Sequence, residues 1–133
     1  MVISREIDYA IRIVRHLSTV EMCNAAQIEK AESISRDFVR KILGKLKKAG
    51  YVTTERGTKG GYSLTVSPSD INLWDLKGAV EPGPVINKCL HKGFSCPNNC
   101  GTPCAVHSEC QRLESILETE MKKKSLGEIL ATK

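Results

Sequence analysis

Five of the six cysteines in this chain lie within one short segment, CLHKGFSCPNNCGTPCAVHSEC, which runs from residue 89 to residue 110. The segment also contains His107, three positions after one of the cysteines. Thiolate and imidazole side chains are the ligands that zinc and iron-sulfur clusters prefer in proteins. The types and spacing of these residues therefore predict a metal or redox site.

A disulfide framework is the less favoured interpretation of these thiols. A chain of 133 residues buries an adequate core without covalent cross-links. Arg5, Glu6, Asp8 and Arg12 interrupt the start of the chain, which is unlike a secretory signal, and no apolar run approaches the roughly 20 residues of a membrane span. We therefore expect a cytoplasmic protein with no membrane partner, in a compartment where clustered cysteines more often bind metal. The outlying Cys23 is expected to be a small buried apolar residue.

Zinc is the main alternative to an iron-sulfur cluster. Four cysteines, or three cysteines with His107, also suit a tetrahedral structural zinc site. The segment lacks the paired C-x-x-C knuckles that zinc ribbons typically carry, which favours a cluster. Bare thiols that respond to oxidation are a third interpretation of the same residues.

The first fifty residues are predicted to form three helices. The first, over about residues 5 to 19, has an apolar stripe at helical spacing. Its members are Ile7, Ala10, Ile11, Val14 and Leu17. Asn24 and Gln27 form the capping-box pattern that starts a second helix. Ser35 is the predicted N-cap of a third helix, which Gly50 ends.

A β-hairpin and further helices are predicted after residue 50. The β-rich runs YVTTER and YSLTV are joined by the glycine-rich turn GTKGG, as in a hairpin. Asn72 and Asp75 have the capping pattern of a fourth helix. Ser125 and Glu128 frame a last short helix at the end of the chain.

A long amphipathic helix is predicted between the cysteines and the last helix. Thr102 and Pro103 have the residue types of its N-cap and first position. One apolar stripe follows it, made of Val106, Cys110, Leu113, Leu117 and Met121. Cys104 would then lie in the first turn, where the helix dipole stabilises a thiolate, with His107 one turn further on the same side. Because Cys110 belongs to the stripe, we expect it to be buried and without a metal.

Basic residues concentrate in the third helix and the hairpin. The stretch from residue 36 to residue 59 has eight basic and two acidic residues and so carries a net charge of +6, whereas the whole chain carries +5. Three helices followed by a two-stranded hairpin are typical of a winged helix-turn-helix domain. The charge and the order of elements together predict that the protein binds double-stranded DNA.

The exposed N-terminal part of the third helix is the predicted base-contacting element. Arg40 or Lys41 would donate to the O6 and N7 atoms of guanine, and Asp37 would accept from a cytosine amine or orient Arg40. Ser35 and the neighbouring Arg36 would contact phosphate, which positions the helix without specifying sequence.

The hairpin tip supplies the second predicted contact with DNA. Arg56 suits a narrow A-T minor groove, which attracts arginine side chains. Gly57 allows the backbone to approach DNA closely, and Lys59 adds a second cation to the tip.

Three segments of the chain resemble the Rrf2 family of bacterial winged-helix transcription regulators. They are MVISREIDYAIRIVRHLS at the start, SRDFVRKILGKLKKAGYV in the third helix and ERGTKGGYSL in the hairpin. The likeness extends over nearly the whole chain. It implies a homodimer in which the long C-terminal helices pair and place two winged domains on a palindromic operator. It also implies that Arg56 is the wing arginine of the family.

The resemblance further implies an iron-sulfur ligand set. Cluster-binding members use three cysteines before the long helix, in some cases with a histidine after the third. The residues that match are Cys89, Cys96, Cys104 and His107. In other members an aspartate of the first helix completes the set across the dimer, and Asp8 matches that aspartate. The first set implies a two-iron cluster (2Fe-2S) and the second a four-iron cluster (4Fe-4S), while Cys100 is a competing ligand.

The sequence thus predicts a mainly helical fold with a small β-hairpin, in three parts. Residues 1–82 form the winged helix-turn-helix domain, 83–104 the cysteine-rich cluster-binding loop, and 105–133 the dimerisation helix and the C-terminal helix. The predicted function is a homodimeric transcription regulator that senses iron-sulfur status, redox state or nitric oxide through its cluster. A repressor with zinc or with bare thiols, and an iron-sulfur electron-transfer protein, are the alternatives. The sequence has no nucleophile-base pair or phosphate loop, so we expect neither enzymatic activity nor a small-molecule substrate.

Overall fold

The structure, a computed structural model, describes residues 2–98 and 104–131. The helices are α1 (Arg5–Ser18), α2 (Ala25–Glu32), α3 (Arg36–Lys48), α4 (Leu73–Val80), α5 (Ala105–Met121) and α6 (Leu126–Ala131). The strands are β1 (Val52–Glu55) and β2 (Gly61–Leu64), and short 3-10 helices span Pro68–Asp70 and Lys88–Leu90. The predicted mainly helical fold with one hairpin is confirmed. No helix in the described part of the chain is long and apolar enough to cross a membrane.

Short-range sequence signals set the ends of α2 and α3. The backbone N–H of Gln27 donates to Asn24 Oδ1 at 2.8 Å, and that of Asn24 donates back to Gln27 Oε1 at 2.9 Å. Ser35 Oγ accepts a hydrogen bond from the first turn of α3, as expected of an N-cap. Gly50 follows α3 with φ +86°, a conformation that glycine adopts without a side-chain penalty.

The helix α1 lies at the centre of the core and packs against α2, α3 and α4. Its buried residues are Ile7, Ala10, Ile13, Val14 and Leu17. The sequence predicts that Ile11 is buried with this face, but it is only partly buried. A helix that packs against several neighbours buries a wider face than a single stripe. Cys23 is 4% exposed and joins the same core, which confirms the prediction that it is buried.

The hairpin is attached to the helices by a second strand pairing. β1 and β2 are antiparallel, with Val52 opposite Leu64. On the other side of β2, the N–H of Cys23 donates to the Tyr62 carbonyl at 3.0 Å and the N–H of Tyr62 donates to the Cys23 carbonyl at 2.7 Å. A methyl group at Gly61 would lie 2.7 Å from the Cys23 oxygen. The close approach that orients the hairpin therefore requires glycine at this position.

The helix α5 starts later than the sequence predicts. Its N-cap is Cys104, whose Sγ accepts a hydrogen bond from the backbone N–H of His107 at 3.5 Å. Cys104 is therefore not in the first turn, and the prediction of Thr102 as the cap is wrong. Cap preferences rank threonine high because its hydroxyl accepts strongly, whereas here a thiol takes that role. Thr102 and Pro103 themselves lie outside the described residues.

The predicted apolar stripe of α5 is divided between two surroundings. Met121 is the one residue of this helix that is buried. Val106 is 65% exposed and Leu113 39%, and Ile116, which the stripe had not included, is 47% exposed. Met121 therefore packs against its own chain, and Cys110 and Leu117 are half-buried. Val106 and Leu113 leave an apolar face in solvent.

The helix α6 returns to the core of the winged-helix unit. Leu126 is fully buried in that core, and its N–H donates to the Ile71 carbonyl at 2.8 Å. The N–H of Glu128 donates to Ser125 Oγ at 3.1 Å, so these two residues frame the helix start as the sequence predicts.

Candidate functional site

The N-terminal half of α3 presents its polar residues to solvent. Arg36, Asp37, Arg40 and Lys41 are all exposed, as is the N-cap Ser35. The buried residues of the helix are Val39, Ile42, Leu43 and Leu46. Because the apolar face holds α3 against α1, α2 and α4, the opposite face is fixed in direction and open to a large partner.

Two of the predicted DNA-binding cations already have a partner within the chain. Arg36 Nε lies 2.7 Å from Glu29 Oε2, and Lys41 Nζ lies 2.8 Å from Glu6 Oε1. Arg40, by contrast, forms no side-chain ion pair or hydrogen bond with any other residue that the structure describes. Among the predicted cations of α3, Arg40 thus needs no rearrangement to meet a new acceptor.

Glu6 holds α1, α3 and α4 together at the base of this surface. Besides Lys41, its carboxylate binds Lys45 at 2.6 Å, and Lys45 also donates to the Val80 carbonyl at 2.9 Å. Hydrogen bonds from Lys41 and then Lys45 lower the pKa of Glu6 below its ordinary value. Sequence analysis missed this residue because its partners are far away along the chain.

The hairpin tip is a tight turn that exposes two cations. Arg56, Gly57 and Lys59 are exposed, and Gly57 has φ +109°. A methyl group at Gly60 would collide with the Glu55 carbonyl, so the turn itself requires glycine. Since β1 packs against α3, the predicted residues of the tip and those of α3 belong to one structural unit. We define the DNA-binding surface as Ser35, Arg36, Asp37, Arg40, Lys41, Arg56, Gly57 and Lys59.

The described cysteines of the segment come together near the start of α5. Cys89 lies in the 3-10 helix Lys88–Leu90, which packs against α5. The pKa of the Cys89 thiol is raised, first by partial burial and then by the neighbouring thiols of Cys110, Cys104 and Cys96. Three other thiols therefore lie within electrostatic reach of Cys89, and we refer to Cys89, Cys96, Cys104 and Cys110 as the thiol group.

Cys110 differs from its expected state. It is half-buried rather than buried, it contacts Cys89, and Asn87 Nδ2 lies 3.9 Å from its Sγ. The prediction that Cys110 is buried is wrong, because this part of α5 faces the 3-10 helix and not a closed core. The apolar stripe on which that prediction depended gave no signal of this neighbour. That Cys110 binds no metal stays a prediction.

The side chains of the thiol group are not drawn into a single-ion site. Within residues 2–98 and 104–131, no three His, Cys, Asp or Glu side chains are close enough to hold one metal ion. The contact that the structure gives His107 is its backbone hydrogen bond to Cys104, and Cys100 lies outside the described residues. The chemistry of the donors still fits an iron-sulfur cluster, which thiolates bind over a larger span than one ion.

Asp8, the alternative fourth ligand, has an exposed carboxylate. It lies on α1, its side chain is 55% exposed, and its carboxylate is 3.7 Å from Arg12 Nη1. Arg12 is also paired with Glu32 at 3.4 Å. The carboxylate is therefore accessible, with a weak ion pair as its partner in the described structure.

Two further residues fix the chain between α4 and the thiol group, and sequence analysis missed both. Lys77 is 4% exposed, its ammonium donates to the Gly83 carbonyl, and it lies 5.2 Å from the Trp74 ring centroid. Glu114 on α5 accepts hydrogen bonds from the backbone of residues 85 and 86. A charged residue on a helix normally indicates a solvated face. The sequence therefore does not indicate that Lys77 and Glu114 bind the chain between α4 and the thiol group.

Comparison with known proteins identifies the family of this fold. Residues 3–132 match the family model Rrf2, described as an iron-dependent transcriptional regulator. The chain belongs to the Rrf2 family. The predicted class of protein, a helix-turn-helix transcription regulator, is thereby confirmed, and this class is generally not enzymatic.

Individual relatives of this Rrf2-family chain are transcription regulators or share their fold. It is 32% identical over 105 residues to the HTH-type transcriptional regulator IscR of Vibrio atlanticus. The aligned region covers 79% of this chain and 59% of that protein. The chain therefore spans less than two thirds of that relative's length. The structure of CymR, the global cysteine regulator of B. subtilis, matches with a TM-score of 0.73 at 18% identity over 98% of this chain and 96% of CymR. That of T. potens IscR matches with a TM-score of 0.71 at 21% identity over 96% and 85%. At these identities the two structures show the fold.

Proposed function

We propose that this Rrf2-family regulator is a homodimer that binds palindromic double-stranded DNA under the control of an iron-sulfur cluster held by its cysteine segment. The observation that carries the proposal is the contact between Cys89 and α5. The same helix presents an exposed apolar face. One helix thus connects the cysteines that would bind the cluster with the surface that would bind a second copy.

The DNA-binding surface supports contact with both grooves. Arg40 and Asp37 would contact base edges in the major groove, and Arg56 would enter the minor groove beside Gly57 and Lys59. Arg36 and Lys41 would leave Glu29 and Glu6 to contact phosphates, and Ser35 at the start of α3 would do the same. Exposed ion pairs contribute little, so their exchange for phosphate contacts costs about 1 kcal/mol or less.

The apolar face of α5 supports dimerisation. Val106, Leu113 and Ile116 are large apolar side chains in solvent at 65%, 39% and 47% exposure. Pairing two copies through this face would bury them about a two-fold axis, and the two α3 helices would then meet half-sites about 34 Å or a multiple apart.

Three cysteines and one further residue would hold the cluster. Cys89, Cys96 and Cys104 supply thiolates, and the fourth position is His107 for a two-iron cluster or Asp8 of the partner subunit for a four-iron cluster. Cys100 remains a competing ligand, and Cys110 joins it because it contacts Cys89. A bound cluster would supply reactivity toward oxidants and nitric oxide. Under this proposal, residues 1–82, 83–104 and 105–133 bind DNA, hold the cluster and dimerise, respectively.

A sensor of this kind works only if the bound group distinguishes two arrangements of the protein. Cluster binding would hold the thiols of Cys89, Cys96 and Cys104 in one fixed arrangement, and cluster loss would free these side chains to separate. The two arrangements would differ in the separation of the two α3 helices. The equilibrium between them shifts only by the difference in the binding free energy of the cluster for each arrangement.

The test compares operator affinity with and without the cluster. Protein purified without oxygen would select a binding site from random duplex DNA, and the Kd of cluster-loaded and cluster-free protein for that site would be measured at fixed salt. We expect a palindromic site and a difference in Kd of about fivefold or more. Equal affinities would contradict control by the cluster, and failure to select any site would contradict the DNA-binding proposal.

A thiol-sensing or zinc-containing repressor is the second candidate. The proximity of Cys89 and Cys110 supports the thiol form of this candidate. Zinc bound at one atom per chain would support the zinc form. A loss of DNA affinity on oxidation of metal-free protein would support the thiol form.

A further inference from the structure

Glu114 fixes the chain that leads to Cys89. Its Oε1 atom accepts the backbone N–H of Val85 at 2.9 Å, and its Oε2 atom accepts the N–H of Ile86 at 2.9 Å and that of Val85 at 3.2 Å. Both carboxylate oxygens are thus directed at two successive amides outside any helix or strand. A carboxylate that accepts two backbone N–H groups forms strong, charge-assisted hydrogen bonds.

The same segment is closed on itself around Cys89. Lys77 donates to the Gly83 carbonyl at its start. A methyl group at Gly83 would lie 2.6 Å from His91 Cε1, so the two ends of the segment are in contact. Asn87 lies 3.9 Å from the sulfur of Cys110. Cys89 is therefore held inside a short loop whose middle is attached to α5.

The attachment determines where the Cys89 thiol lies. Cys89 lies three positions after Ile86, so a fixed Ile86 keeps the Cα atom of Cys89 within about 10 Å of its own. Cys110 and Glu114 lie one helical turn apart on α5, and the loop contacts both. Releasing the two amides would remove the hydrogen bonds of Glu114 to this loop, while Asn87 and the 3-10 helix would keep their contacts with α5.

We propose that Glu114 is a positioning residue for the thiol group, which it assembles by fixing the Val85 and Ile86 amides against α5. Its negative charge matters because two N–H donors converge on it. In Glu114→Gln one oxygen is replaced by an NH2 group, which would face a backbone donor and cannot accept from it. The inference depends on the proposed function only in that the metal held by the thiol group is taken to be an iron-sulfur cluster.

The experiment compares Glu114→Gln with Glu118→Gln in the full chain. Glu118 lies one turn further along α5 and pairs with Lys122 at 2.6 Å, so its replacement removes the same charge from the same helix without touching the loop. The first measurement is hydrogen exchange at Val85 and Ile86, which we expect to be at least about tenfold faster in Glu114→Gln only.

The second measurement is the rate of cluster loss to an iron chelator under nitrogen. Loss of a residue that orients metal ligands commonly weakens metal binding about 10-fold to 100-fold, so we expect about tenfold faster loss from Glu114→Gln and the wild-type rate from Glu118→Gln. Faster amide exchange with an unchanged rate of cluster loss would overturn the proposal, because Glu114 would then be merely structural. Unchanged amide exchange would overturn it at the first step.

Failure of the proposed function is distinguished by a third measurement. If neither the wild type nor the variants hold a cluster, Co²⁺ titration of the reduced protein, followed by thiolate-to-cobalt absorption, reports how well the thiols assemble. About tenfold weaker Co²⁺ binding in Glu114→Gln than in Glu118→Gln would support the positioning role without the cluster. Equal Co²⁺ affinities would overturn it.

Discussion

At the scale of single residues, the side chains of the DNA-binding surface differ in what already surrounds them. Arg36, Arg40 and Lys41 are all basic residues, and helical periodicity predicts that all three lie on the exposed face of α3. The structure adds that Glu29 and Glu6 hold two of them. These acidic partners lie on α2 and α1, so a reading of α3 alone does not predict them.

Arg40 is expected to contribute specificity. Arg40→Ala should weaken binding to the selected operator by about 1–3 kcal/mol, and weaken binding to random DNA much less, because a base contact is lost in the first case only. Competition binding at constant salt measures both values. Lys124→Ala, at an exposed position after α5, is the control that should change neither. Equal losses on operator and random DNA would show that Arg40 contacts only phosphate.

Glu6 is expected to stabilise the fold in a pH-dependent way. Its pKa is lowered in the folded state by Lys41 and Lys45, so its contribution is present above the unfolded pKa of about 4.3 and is lost as the pH falls through the lower folded value. Glu6→Gln should therefore reduce the free energy of unfolding by about 1 kcal/mol at pH 7.

The difference between the wild type and Glu6→Gln should shrink below about pH 4. Urea unfolding at several pH values measures it. The exposed Glu21 provides the control variant Glu21→Gln, which should behave as the wild type at every pH. A difference that stays constant into acid would mean that the charge of Glu6 is not what stabilises α1 against α3.

At the scale of elements, the helix caps and the hairpin are predictable and the connections between them are not. The Asn24–Gln27 capping box, the Ser35 cap and the hairpin turn depend on residues that are near neighbours in sequence. The pairing of Cys23 with Tyr62 joins positions that no local pattern relates. The cap of α5 was missed because a thiol is a weak acceptor, which cap preferences do not favour.

Gly61 is expected to be essential to the attachment of the hairpin. Gly61→Ala should lower the free energy of unfolding by roughly 1–3 kcal/mol, because its methyl group would lie 2.7 Å from the Cys23 carbonyl oxygen. Gly44→Ala is the matched control, since no atom lies within 4 Å of the added methyl group and alanine favours a helix over glycine by up to about 1 kcal/mol. Thermal and urea unfolding test both variants. A stable Gly61→Ala protein would contradict the close approach of β2 to Cys23.

At the scale of the whole molecule, α5 connects the thiol group, the winged-helix unit and the exposed apolar face. The sequence predicts a long amphipathic helix there, and the structure confirms it. The division of its apolar residues was not predictable, because Met121 and Leu113 are equivalent in a helical pattern. Only the packing of α5 in the folded chain decides which of them is covered.

The exposed face of α5 is expected to form the dimer. Ile116→Glu should weaken self-association by about 100-fold or more, since a charge would be buried in an apolar interface. Ser108→Glu adds the same charge to the same helix on the side away from Val106 and Leu113, and should remain dimeric. Sedimentation equilibrium over a range of protein concentrations measures both. A dimeric Ile116→Glu protein would exclude this face as the interface.

The central claim, that the thiol group and its neighbours hold an iron-sulfur cluster, is tested most directly by iron and sulfide analysis with an absorption spectrum. The protein is to be purified and assayed without oxygen. We predict a brown protein with equal amounts of iron and sulfide, and the iron count per chain would separate the His107 ligand set from the Asp8 set. A colourless protein that contains no iron, even after reconstitution with iron and sulfide, would contradict the claim.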